Sequence, residues 1–323
     1  MASAASETIE KESIDCVIAS QIDTAAYRNF LDDVPCIFEE LELGLTYEAW
    51  SGGASVAARV RGGLTWFKHR RFVGRLLRRF DAVTVASERE RDLAQRFLAH
   101  LPPVEIVPNC LDLSRYPNTV ESRDKSTLIF SGPLAYEPNR QAVVWFQEHV
   151  RPILAARIPD VHAIVTGKRP ASPLPNVEGL TLTGYVDDVK PLTARSACCI
   201  VPLQSGGGTR LKILEAMALH TPVVSTSKGV EGLAVEHGEH VLIGDDPETF
   251  AAAVADVLSS SDLAAHLAAN AYDLVRKRYD SSVASGRLLD LVEQVAGPDA
   301  RKSSPAGSIS YHPAGSAPAD SVH

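Results

Sequence analysis

Several familiar signatures are missing from this 323-residue chain, and each gap narrows its chemistry. No apolar run approaches the roughly 20 residues that a membrane-spanning helix needs. The opening residues, MASAASETIEKES, hold no apolar segment of the kind a secretory signal carries, so none is expected there. Basic residues are outnumbered, 32 Lys and Arg against 40 Asp and Glu. The net charge of −8 argues against broad nucleic-acid binding, so any phosphate chemistry must rest on a local basic site. Neither GxxxxGK nor GxGxxG occurs, which removes the P-loop and the dinucleotide fingerprint. There is no D-x-D triplet, and the ten histidines form no cluster with metal-ligand spacing, so no metal site is expected. The five cysteines, Cys16, Cys36, Cys110, Cys198 and Cys199, contain no CxxC pair. Their odd number and the adjacent apolar pair indicate reduced, buried thiols in a cytoplasmic protein.

What is present alternates. Short β-type runs stand at 14–20, 34–41, 81–87, 104–108, 126–132, 161–167, 180–184, 198–203, 222–226 and 240–244. Longer amphipathic segments separate them, among them NRQAVVWFQEHVRPILAARI, TRLKILEAMALH and PETFAAAVADVLSS. Such alternation predicts an α/β fold with parallel sheets covered by helices on both faces, the doubly wound class. The polar, turn-rich stretch 109–125 suggests a boundary between residues 1–118 and 119–271. The first unit offers about four strands and no Gly-rich opening turn, so it is expected to be incomplete. Residues 298–323, rich in Pro, Ser, Ala and Gly without periodicity, predict a disordered tail.

Two stretches invite a functional reading. GLTWFKHRRFVGRLLRRF (63–80) combines Lys68, Arg70, Arg71, Arg75, Arg78 and Arg79 with Trp66, Phe67, Phe72, Leu76, Leu77 and Phe80. As a helix it is either a surface helix with a solvated basic face, the favoured reading, or a contact with an anionic membrane surface. PLQSGGGTRLKILEA (202–216) carries a buried strand's end into three glycines and a helix with Leu211, Leu214 and Met217 or Ala218 on one face. A helix N-terminus at a strand's carboxyl end offers free N–H groups and partial positive charge to an anion. Gly206, Gly207 and Gly208 let backbone approach it, with Thr209 next in line. Arg210 can fork onto phosphate oxygens, Lys212 adds a point charge, and Glu215 can accept from sugar hydroxyls. A glycine loop with an ordinary charged first turn is the bland alternative, and the segment alone does not choose between them.

The order of segments does favour one. Over most of its length the chain resembles the GT-B glycosyltransferases of the family 4 type. VEIVPNCLD (104–112) is similar to the signature that closes the acceptor-side domain, with Cys110 where Gly is usual. LIFSGPLAYEPNRQAVVWF (128–146) resembles the first strand, loop and helix of the donor-side domain. Residues 184–233 resemble that domain's donor-binding core almost continuously, and 272–297 its terminal helices that cross back to the first domain.

The resemblance implies two Rossmann-like domains facing a cleft, and transfer of a sugar from a nucleotide-diphosphate donor to an acceptor hydroxyl. That transfer would run without metal or cofactor, with retention, in polysaccharide or glycoconjugate synthesis. It implies that Arg210 and Lys212 neutralise the departing diphosphate and that Glu215 binds the donor ribose. Gly132, Gly184, Tyr185 and Val186 would approach the donor, although Tyr185 reads equally well as core packing. Gly207 falls where the family's first Glu would stand, and its loop N–H groups are the expected substitute. Glu39, Glu40 or Glu42 could stand in for a donor-contacting His of the first domain; each is more readily a solvated loop carboxylate. No residue is singled out as a general base. The implied partners are a nucleotide sugar and a sugar or lipid-linked acceptor, at a cytoplasmic location with optional membrane contact through 63–80. The competing function is a non-catalytic nucleotide-sugar-binding or scaffold protein, motivated by the short first domain and by Gly207.

Overall fold

The computed structural model describes residues 2–31, 34–52, 55–117, 123–168, 174, 178–208 and 210–297. Thr209, the boundary at 118/119 and the tail 298–323 therefore lie outside the described residues. Ten parallel strands form two sheets. The first holds β1 (Val17–Ser20), β2 (Cys36–Glu39), β3 (Ala82–Val85) and β4 (Val104–Ile106), in the order β1-β2-β3-β4. The second holds β5 (Asp124–Ser131), β6 (His162–Thr166), β7 (Leu180–Gly184), β8 (Ser196–Val201), β9 (Val223–Ser225) and β10 (Leu242–Ile243). Each strand overlaps a run expected from the sequence, with β5 and β8 starting two residues earlier than expected. Buried parallel strands are apolar on both faces, so they stand out as short continuous apolar stretches. Leu128, Ile129 and Phe130 of β5 are such a case, and all three are buried.

The order in the second sheet is β10-β9-β8-β5-β6-β7. The chain winds from β5 to β7 in one direction, then returns to pair β8 with β5 and winds the other way. The loops leaving β5 and β8 therefore diverge, and a crevice opens at their carboxyl ends, where ligands of open α/β sheets bind. The helix Pro247–Ser259 closes this core with Phe250 and Val254; Asp246 caps it in a capping box with Thr249. The amphipathic segment after β5 is less regular than the sequence suggests. A π-helical turn, Phe146–Val150, separates helix Glu137–Trp145 from helix Arg151–Arg157. Pro152 accounts for it, since its ring clashes with the carbonyl four residues back and it has no N–H to give.

The first sheet packs Phe38, Val83 and Val85 against Trp66, Leu77 and Phe80. Trp66 belongs to the helix Val56–Leu76, which starts earlier and ends sooner than the 63–80 stretch. That helix lies close to Gly44–Ser51 because a side chain at Gly62 would strike the backbone of Ala49. The expected apolar stripe of 63–80 is divided: Trp66, Leu77 and Phe80 are buried, while Phe67 and Phe72 are exposed. On the other face of the sheet, the helix Ser281–Ala296 places Leu291 against Ile37 and Ala82. The chain is pinned at this crossing by bonds from Leu111 N–H to Tyr279 O and from Ser281 N–H to Leu111 O, both 2.8 Å.

Candidate functional site

At the carboxyl end of β5, Gly132 adopts φ +144°, and its N–H donates to Thr166 O at 3.0 Å. A Cβ there would lie 2.8 Å from both Lys212 Nζ and Asn139 Nδ2, so only glycine fits. Lys212 comes from the first turn of helix Leu211–Ala218, across the crevice. Its ammonium donates to Asn139 Oδ1 at 2.9 Å and stands 4.1 Å above the Phe130 ring. Burial, reinforced by the charge of Arg210, pulls its pKa down to about 8. Asn139 was absent from the residues expected at the site, although the Pro-Asn at the start of helix Glu137–Trp145 marked its position.

The loop after β8 delivers the other wall. Gly206 and Gly208 take φ of +96° and +82°, the left-handed region. Arg210 stands at the N-cap and is only 5% exposed. Its guanidinium does not point outward as a free fork. Nη1 donates to Gly207 O at 3.0 Å, and Nη2 to Gly206 O at 2.7 Å and Lys228 O at 3.3 Å. Its Nε is buried without a hydrogen-bond partner. As placed, Arg210 braces the glycine loop and keeps one donor unspent. The helix begins at Leu211, so its inward face is set by Ile213, Leu214 and Met217; Leu211, expected inside, is exposed.

One turn on, Glu215 accepts from Tyr116 Oη at 3.4 Å, and Lys190 stands 5.3 Å from the Tyr116 ring. Burial pushes the Glu215 carboxyl up. Gly184 ends β7 with φ +75° and accepts from Gly167 N–H at 2.8 Å. Tyr185 is 78% exposed, which removes core packing as its role; Val186 is half-buried.

The first domain faces this loop over a cleft lined by Glu40, Glu42, Leu45, Glu90, Gly207 and Gly208 among others. Arg89 pairs with Glu48 at 2.6 Å and Glu231 at 3.1 Å, and Lys228 pairs with the same two carboxylates. Glu90 is buried and accepts from Leu43 N–H at 2.6 Å and Gly44 N–H at 3.0 Å. Glu39 is half-buried at the end of β2 and Glu40 is exposed. Among the described residues, no group of three or more His, Cys, Asp or Glu is placed to hold a metal ion. All five cysteines are free; Cys36, Cys198 and Cys199 are buried, and Cys16 and Cys110 half-buried.

Residues 125–260 match the family model described as "Glycosyl transferases group 1". Over that segment the chain is similar to the group 1 glycosyl transferases. Gly132, Asn139, Gly184, the glycine loop, Lys212 and Glu215 all fall within the matched segment. Over 212 residues the chain is 28% identical to the phosphatidyl-myo-inositol mannosyltransferase of Mycobacterium tuberculosis, covering 60% of this chain and 55% of that one. Over 165 residues it is 27% identical to an uncharacterized 44.6 kDa protein in the cps region of Klebsiella pneumoniae, covering 48% and 42%. It thus spans about half the length of the curated relatives it matches. Among solved structures, Anabaena Alr3699/HepE in complex with UDP-glucose aligns with a TM-score of 0.68 at 16% identity. That alignment covers 91% of this chain and 82% of that one. The sucrose-phosphate synthase of Thermosynechococcus elongatus aligns with a TM-score of 0.67 at 16% identity, over 91% and 76%. The fold is GT-B, with one parallel Rossmann-like sheet in each half.

Proposed function

We propose that this protein transfers a sugar from a nucleoside-diphosphate donor to an acceptor hydroxyl, with retention and without a metal ion or cofactor. The observation that carries this reading is the convergence of Gly132, Asn139 and Lys212 where the second sheet reverses, opposite the glycine loop. A diphosphate seated there meets the Lys212 ammonium, the first N–H groups of helix Leu211–Ala218 and the left-handed loop glycines. These groups are in place before the reaction, so they favour the negative charge that grows on the diphosphate as the sugar–oxygen bond breaks. The acceptor hydroxyl then attacks the oxocarbenium-like sugar on the face the diphosphate leaves and gives its proton to the departing diphosphate oxygen. In this assignment Arg210 holds the loop, Glu215 takes the ribose hydroxyls, and exposed Tyr185 with Val186 flanks the base. The mannosyltransferase relative and the fold shared with a UDP-glucose complex support the same class of donor.

Calorimetric titration with UDP and GDP, followed by assays of donor hydrolysis and transfer, tests the proposal. Binding with turnover is expected. Binding without any turnover, even with a lipid-linked acceptor, would leave a nucleotide-sugar-binding protein, and absence of binding overturns both readings.

We further infer that the acceptor is approached at an anionic membrane surface, with the protein acting at the cytoplasmic face. Val56, Val60, Leu64 and Phe67 form an exposed apolar stripe along helix Val56–Leu76, flanked by Arg61, Lys68, Arg71 and Arg75. Among the described residues no helix is long and apolar enough to cross a membrane. Flotation with phosphatidylglycerol vesicles is expected for the wild type and lost in Val60→Asp/Leu64→Asp. Equal recovery of both proteins in the lipid fraction contradicts the inference.

A further inference from the structure

The glycine loop of the second domain is met on one side by the first domain. Glu42, in the turn between β2 and helix Gly44–Ser51, lines the cleft together with Gly207 and Gly208. A Cβ built at Gly207 would lie 3.3 Å from Glu42 Oε1 and 2.6 Å from Leu45 Cγ. The Glu42 carboxylate therefore stands over the spot that a side chain at position 207 would fill. It reaches the same loop from a distant part of the chain.

Three neighbouring carboxylates are committed, and the fourth, Glu40, is exposed. Glu48 and Glu231 hold Arg89 and Lys228, and Glu90 is occupied by two backbone N–H groups. Glu42 forms no ion pair with any described residue and remains open to solvent on the cleft side. A carboxylate offers about four acceptor positions. Such a group repels a phosphate and suits neutral donors set side by side, which is the chemistry of sugar hydroxyls. Partial burial and the charge of Glu40 push its carboxyl up.

Resting on the reading that the second domain holds a nucleoside diphosphate, we propose that Glu42 is a specificity-determining residue that binds the hydroxyls of the donor's sugar across the cleft. The loop then divides the donor: Lys212 and the helix start take the diphosphate, and the first domain reads the sugar. Sugar recognition in this arrangement requires the two domains to stay closed over the loop.

The test compares each nucleotide with and without its sugar. UDP, GDP, UDP-glucose and GDP-mannose are titrated into the wild type, Glu42→Gln and Glu42→Ala, and donor turnover is measured. The variants should bind the bare diphosphate as the wild type does, which also reports an intact loop. They should bind the matching nucleotide sugar and turn it over about tenfold less well or worse. Equal losses for diphosphate and nucleotide sugar would reduce Glu42 to a prop for the loop. No loss for either would place the sugar elsewhere, and both results overturn the proposal. A wild type that binds no diphosphate overturns the underlying reading instead, and the two failures are distinguishable. As a second arm, Gly207→Glu in a Glu42→Gly/Leu45→Ala background returns a carboxylate to the same place. It should recover sugar discrimination; failure to do so with diphosphate binding intact also counts against the assignment.

Discussion

Lys212 is the residue on which most of the proposed chemistry depends, and its titration gives the account a pH signature. Burial holds the free side chain near a pKa of about 8. A bound diphosphate favours the ammonium, so the pKa rises in the complex. Affinity is then full below pH 8 and falls as pH climbs through 8 towards the higher value of the complex. Binding takes up a proton in that window. Calorimetry at about pH 8.5 in buffers of different ionisation enthalpy should show this uptake. Affinity that stays flat from about pH 7 to about pH 9.5 would place the diphosphate away from Lys212. Arg210, by contrast, donates to the carbonyls of Gly206 and Gly207. Its role is legible only in three dimensions, because the sequence shows a cation beside glycines and not the direction it faces.

Elements make a sharper steric prediction. Gly167, at the end of β6, takes φ +120°, and a Cβ there would run into the Gly132 carbonyl group and come within 2.9 Å of Pro133 N. These are backbone atoms of the loop that approaches Lys212, and they cannot turn aside as a side chain can. Gly167→Ala should therefore cost about 2–4 kcal/mol in denaturant unfolding. Gly238→Ala, also at positive φ (+84°) but with open space around it, should cost only about 1 kcal/mol. Comparable losses in both would show that the β5 loop is not packed as described. The strands were readable in advance because buried parallel strands spell themselves as apolar runs. The helix start at Leu211 was not, because it depends on how the loop before it is braced. Tyr185 was ambiguous for a related reason: an aromatic after a strand suits a core or a surface, and its exposure is set by tertiary position. Glu42 and Gly207 were each singled out in the sequence, but their apposition was not legible there, since nothing local couples a loop of one domain to a glycine of the other.

At the scale of the whole molecule, the two halves are tied by charge as well as by the returning helix. Arg89 and Glu48 of the first half meet Lys228 and Glu231 of the second. Burial alone would raise the Glu48 carboxyl, but the Lys228 ammonium bonded to it holds it below the usual range. These side chains are about a quarter exposed, so Arg89→Ala should cost about 1–2 kcal/mol, less than a fully buried pair. The loss should shrink in molar salt, where exposed charge pairs are screened. A salt-independent loss would mean that Arg89 acts through packing. The central claim is that a nucleoside diphosphate binds at the reversal point of the second sheet, against Lys212. Titration of UDP and GDP into the wild type and Lys212→Ala tests it most directly. One site per chain is expected, with an affinity roughly 10- to 150-fold weaker in the variant, the loss of a charge-assisted bond. Equal affinity in the two proteins would contradict it.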